Sequence, residues 1–70
     1  MSKKIELSTG TVTMRAPKVR DLRAVSGIKD ELEKDIRIFA NLTEMAPNDI
    51  EDLPIKDFAA LQEAFTDFLS

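Results

Sequence analysis

Residues 55–69 read IKDFAALQEAFTDFL, and this stretch carries three of the chain's four phenylalanines, Phe58, Phe65 and Phe68. Projected at about 100° per residue, Ile55, Phe58, Leu61, Phe65, Phe68 and Leu69 share an arc of roughly 140°. Lys56, Ala60, Glu63 and Asp67 lie opposite. The spacing predicts an amphipathic helix over 55–69. Its apolar stripe needs a partner surface, either within the chain or on another protein. Fold and function both turn on which.

Moving towards the N-terminus, Pro54 separates this helix from a short one expected over 49–53, where Asn48 and Glu51 repeat a cap-and-acid pattern. Pro47 is expected to close a longer helix over 31–44. Asp30 with Glu33 three residues on forms the capping-box signature that starts it. Its core stripe is Leu32, Ile36 and Phe39. Ile38, Leu42 and Met45 lie to one side, so its second half is apolar around much of its circumference. Those three serve either a second buried contact or a partner-binding patch. Upstream, Pro17 suits a first helical position because its missing N–H costs nothing there. A helix over 17–26 would turn Val19, Leu22 and Val25 inward, with Gly27 ending it and Ile28 folding back on Leu22.

Residues 4–15 read as a β-hairpin. With Thr9-Gly10 as a two-residue turn, Leu7 faces Val12 and Ile5 faces Met14. That register gathers Ile5, Leu7, Val12 and Met14 on one face and Glu6, Thr13 and Arg15 on the other. A lone hairpin is marginal in water and must lay its apolar face on the helices. The fold class is therefore α+β: an N-terminal hairpin followed by three to four helices on its apolar face, one domain spanning 1–70.

Composition narrows the chemistry. The chain has 70 residues, no cysteine and no histidine. It thus lacks a disulfide or thiolate-metal framework, the commonest general base and the commonest metal ligand. Gly10 and Gly27 are the only glycines, which leaves no phosphate-binding loop. The run NDIEDL has acids but neither the glycine nor the closing glutamate of a calcium loop. Asp30, Glu31, Glu33, Asp35, Asp49, Glu51 and Asp52 read as helix-start and solvated carboxylates rather than a metal site. We therefore expect no enzyme, no cofactor and no metal. No apolar run reaches the ~20 residues that span a bilayer, and no signal peptide opens the sequence, so no membrane partner is expected.

The net charge of −3 hides a polarity. Residues 1–23 hold six cations against Glu6 and Asp21, a net of +4; residues 24–70 hold four cations against eleven acids, a net of −7. Head-to-tail self-association, a charged partner or a solvated surface all suit such a split. Nucleic acid does not. The second helix opens DELEKD, which would aim carboxylates at phosphates if it entered a groove.

Two segments resemble a known family. MRAPKVRDLRA (14–24) is similar to the strand-to-helix signature "L-R-E-P-T-x-G-D-L" of small phage tail assembly chaperones from Mu-like and related contractile-tailed phages and prophages. Arg15, Pro17, Asp21 and Leu22 match it; Ala16 stands in place of the glutamate and Arg20 in place of the glycine. IFANLTEMAPNDIEDLPIKDFAALQEAF (38–65) resembles the family's second block, "LTGL-x-P-x-D-[LI]-x-x-L" and then "x-D-[FY]-x-A-L". Leu42, Thr43, Pro47, Asp49, Ile50, Leu53, Asp57, Phe58 and Leu61 match there. The closing DFL (67–69) fits as well.

The resemblance implies virion assembly without catalysis. Such proteins bind the long, apolar tape-measure protein, keep it soluble and help tail-tube protein polymerise around it. They act in the cytoplasm of the host bacterium and are absent from the mature virion. A longer form made by ribosomal frameshifting is implied too. A client-binding chaperone needs an exposed apolar surface that accepts amphipathic helices. The candidates are Ile38, Leu42, Met45, Phe68 and Leu69, which would serve a partner or a homo-oligomer. The alternative function is a small phage-encoded regulatory or adaptor protein docking on a host protein.

Overall fold

The computed structural model describes residues 1–70. Its elements are β1 (Ser2–Leu7), β2 (Gly10–Arg15), α1 (Val19–Ala24), α2 (Glu31–Thr43), α3 (Pro47–Glu51) and α4 (Ile55–Leu69). The hairpin followed by helices gives the expected α+β fold.

The hairpin forms in a different register from the one expected. Ile5 pairs with Val12 and Leu7 with Gly10, so Ser8 and Thr9 make the turn. The slip is by two residues. An even slip keeps every side chain on its face, and Ile5, Leu7 and Met14 are buried as the alternation requires. Two contacts select this register. Asp57 accepts hydrogen bonds from the Ser8 N–H at 3.0 Å and the Ser8 hydroxyl at 2.6 Å, which holds Ser8 in the turn. Gly10, at φ 136°, then supplies the backbone twist that Ser8 and Thr9 do not.

The hairpin lies over α2 and α4, β2 against the first and β1 against the second. Between these layers sits the core, with Met14, Phe39, Leu42, Ile50 and Leu61 fully enclosed. The Phe39 ring of α2 is held between two rings of α4, 5.4 Å from Phe58 and 5.7 Å from Phe65, both tilted as aromatic quadrupoles prefer. Lys3, on the inner face of β1, passes its ammonium 5.4 Å from the Phe68 ring centre.

Helix ends depart from expectation in instructive ways. Asp30 caps α2 through the N–H groups of Leu32 and Glu33, but Glu33 turns away to pair with Arg37 at 2.8 Å. The capping box is therefore half made. α2 is stopped by Glu44 in the left-handed region, φ 59°, before Pro47 is reached. There the Met45 N–H bonds back to the Ala40 carbonyl, the six-to-one bond of a Schellman end. Pro47 begins α3 instead of closing α2, in the first-position role that proline fills at no cost. α1 is shorter than expected, starting at Val19 and ending before Val25, and Gly27 does not take a positive φ.

Candidate functional site

Two aspartates are buried, each 4% exposed, and each is the third residue of its helix. In α1, Asp21 forms a two-pronged ion pair with Arg15 of β2, at 2.7 and 3.0 Å, and accepts the Lys18 N–H at 2.7 Å. The last bond caps the helix. In α4 the corresponding cap residue is Pro54, which has no N–H to offer. The Asp57 carboxylate is thereby free to hold Ser8. Asp21 fixes the open end of the hairpin and Asp57 its turn.

Both carboxyls are held below the usual carboxylate range. For Asp21 the main cause is the Arg15 hydrogen bond, opposed by burial and assisted by the Lys18 N–H. For Asp57 it is the Ser8 hydroxyl, then the Ser8 N–H. No buried side-chain polar atom lacks a partner. Both carboxylates are held in structural bonds to the hairpin.

Burying these acids has a geometric cost. On a helix, residues two apart point roughly 160° from one another. Turning Asp21 inward therefore turns Val19 outward, and turning Asp57 inward does the same to Ile55. Val19 is 75% and Ile55 88% exposed. The expectation that Val19 and Leu22 face the core is corrected by this rotation; of the three aliphatics assigned inward on α1, only Val25 is buried. The α4 stripe is rotated likewise. Asp57, Leu61 and Ala64 are its buried residues, with Phe58, Phe65 and Phe68 half-buried beside them. Leu32, assigned to the α2 core stripe, also lies exposed.

The displaced aliphatics line two grooves. One, of about 420 Å³, runs between α1, α2 and the C-terminal end of α4. Val19, Leu22, Ile38, Phe65 and Leu69 line it, with Lys18, Glu31, Lys34 and Asp35 along its sides. The other, about 250 Å³, lies between α2, α3 and the start of α4, with Leu32, Leu53 and Ile55 around Ile36, Ile50 and Phe58. A larger cleft of about 570 Å³ lies beside Val25 and Met45, with Glu33, Arg37 and Asn41 also lining it.

Among the candidate partner residues, Ile38 and Leu42 are core side chains of α2. Ile38 is 3% and Leu42 1% exposed, so they offer a partner almost no surface. Met45 is half-buried, in the larger cleft. Phe68 is half-buried beneath Lys3. Leu69 is 67% exposed. The structure brings Ile38 and Leu69 together at the α1–α4 groove and leaves Leu42, Met45 and Phe68 elsewhere. Sequence reasoning missed Val19, Leu22, Leu32 and Ile55. A signal for two of them was present: both VRD (19–21) and IKD (55–57) place an aspartate third in a helix, and a buried acid there forces the leading aliphatic out.

Most signature positions build the frame. Arg15 and Asp21 form the ion pair, Asp57 holds the turn, Pro47 starts α3, Phe58 stacks on Phe39 and Leu61 is enclosed. Leu22 is different: like Leu69 of the closing DFL, it is a large apolar side chain facing solvent.

No helix is long and apolar enough to cross a membrane. No curated protein and no solved structure matches the chain. A family model described as phage tail assembly chaperone proteins, E, or 41 or 14, matches residues 5–70. The match runs from the first buried residue of the hairpin, Ile5, through both aspartate locks and both grooves to Ser70. The chain belongs to the phage tail assembly chaperone family.

Proposed function

We propose that this chaperone holds the tape-measure protein by laying an amphipathic segment of it along the α1–α4 groove. Bound in this way, the client stays soluble until tail-tube protein assembles around it. The chaperone does this in the host cytoplasm, uses no cofactor, catalyses no reaction and is left out of the mature virion. The observation that carries the reading is the groove itself: Val19, Leu22 and Leu69 stand exposed beside Ile38 and Phe65, with charged residues of both signs along its sides, in a member of a tail assembly chaperone family. A chain of this size supports exposed aliphatics at the expense of solubility, and patches of this kind mark interaction sites. Helix-in-groove docking reads such surfaces through aliphatic anchors.

Co-expression tests the proposal. The tape-measure protein is expected to move to the soluble fraction with the parent chaperone and to co-purify with it. Leu22→Asp, at an exposed position, is expected to leave the fold intact by circular dichroism and to cut client recovery at least about tenfold, as charge is forced into an apolar contact. Unchanged client solubility with the parent protein, or capture of a host protein in place of the client, overturns it.

A further inference from the structure

Residues 17–29, which carry α1, pack on α2 as a strap with little holding it down. Both of its ends are fixed. The Ala16 N–H bonds to the Met1 carbonyl at 2.9 Å, and Asp30 caps α2 through the Leu32 and Glu33 N–H groups. Between these points every backbone hydrogen bond closes within the strap itself, as those from Val25 to Leu22, Ser26 to Arg23 and Ile28 to Val25 do. The one side-chain hydrogen bonding that ties the strap to the rest of the chain is the Arg15–Asp21 pair, and Arg15 is a third exposed, so water reaches that latch. Only Asp21 and Val25 in the strap are buried, with Pro17 and Ile28 half-buried at its ends. Val19 and Leu22, whose burial would fasten an ordinary amphipathic helix, face out. A helix of six residues does not persist on propensity alone. Two side chains thus keep α1 in place.

The strap also divides what lies beside it. Val19 and Leu22 edge the α1–α4 groove with Ile38 of α2, whereas Val25 and Ile28 edge the larger cleft with Ala40 of α2. We infer that residues 17–29 are a hinged strap: they swing off α2 as a unit, turning at Ala16 and Asp30, when the Arg15–Asp21 pair parts and Val25 leaves its seat. The swing costs less than unfolding the domain, because the core between the hairpin, α2 and α4 stays packed. It joins the two clefts into one trough along α2 and uncovers Ile38, 3% exposed while the strap is closed. The swing needs no client. That it admits the client rests on the reading above: a client helix enters the open trough and meets Ile38 directly, and the closed form must open before it binds.

The chain has no cysteine, so an introduced thiol reports the opening without background. In client-free Val25→Cys, the thiol is expected to react with a maleimide at least about tenfold faster than global unfolding of the same variant allows, at a rate that urea below the unfolding midpoint barely changes. A rate that matches global unfolding and shares its urea slope overturns the strap. Ala24→Cys/Asn41→Cys places thiols at two exposed positions that line the larger cleft, one on the strap and one on α2. Bridged by a short bis-maleimide, it is expected to recover at least about tenfold less client than when unbridged, since the open form is no longer reached. The bridge leaves the α1–α4 groove clear, so equal recovery overturns the strap as the client's way in. A parent chain that takes up no client overturns the reading above and this entry role with it, while the thiol rate still decides whether the strap opens.

Discussion

α1 and α4 begin in the same way and end up holding the hairpin by different means. Each opens with an aliphatic, then a cation, then an aspartate whose carboxylate is buried. What differs is the residue before. Lys18 presents an N–H, so Asp21 caps its own helix while it grips Arg15. Pro54 presents none, so Asp57 spends both oxygens on Ser8. The first lock is charge against charge; the second is charge against neutral donors. A single imino acid thus decides whether an acid at the third helical position acts within its helix or reaches across to the hairpin.

The largest expected effect separates the two locks. Asp21→Ala leaves the Arg15 guanidinium facing a partly buried void and uncaps α1, a loss of about 3 kcal/mol, the low end for breaking a buried pair because Arg15 is a third exposed. Asp57→Ala leaves only a hydroxyl and an amide, both beside water at the turn. Its urea midpoint is expected to fall by clearly less. Equal midpoints for the two variants would break the comparison.

Acid sharpens it next. Both carboxyls have folded-state values below the unfolded one. Their contribution is therefore complete above about pH 4 and is lost as pH falls through the folded values. Urea midpoints are expected to hold steady near neutrality and drop below about pH 4. Asp57→Asn is expected to start lower at neutral pH and to fall less steeply in acid, since one of the two titrating locks is gone.

The smallest effect on stability concerns the aliphatics the locks turn outward. Val19→Ser and Ile55→Ser are each expected to change unfolding free energy by no more than about 0.5 kcal/mol, the usual range for exposed sites. A larger loss in a monomeric sample would mean that the rotation argued from Asp21 and Asp57 is wrong.

The elements were legible because hydrophobic periodicity and proline positions report local geometry directly. The α4 boundaries, 55–69, are those expected. The hairpin faces survive even though its register does not, because alternation fixes parity and leaves a two-residue slip free. What chose the register was Asp57, 49 residues from Ser8, and no local pattern announces such a bond. The rotation of α1 was misread for a related reason. Counting apolar residues treats an aspartate as outward-facing, whereas Arg15 brought Asp21 in and displaced Val19. Glu44 is a third case: the family block quoted above carries glycine between threonine and leucine, at the place where this chain sets a glutamate at φ 59°. Of the candidate surface, Leu69 was visible because end residues of a stripe have few neighbours. Ile38 and Leu42 were not separable from core without the hairpin in place.

The Lys3–Phe68 contact has a topological corollary. Met1, Ser2 and Lys3 share a cleft with Asp67 and Phe68, so the two termini lie side by side. The backbone is close to a ring with one cut in it. A short polar bridge would join the ends and leave the lysine–phenylalanine clasp in place, and the ring could be reopened in the exposed stretch between α1 and α2. The same proximity carries a practical warning: an affinity tag on either terminus hangs close to Leu69, at the mouth of the surface that binding assays set out to measure.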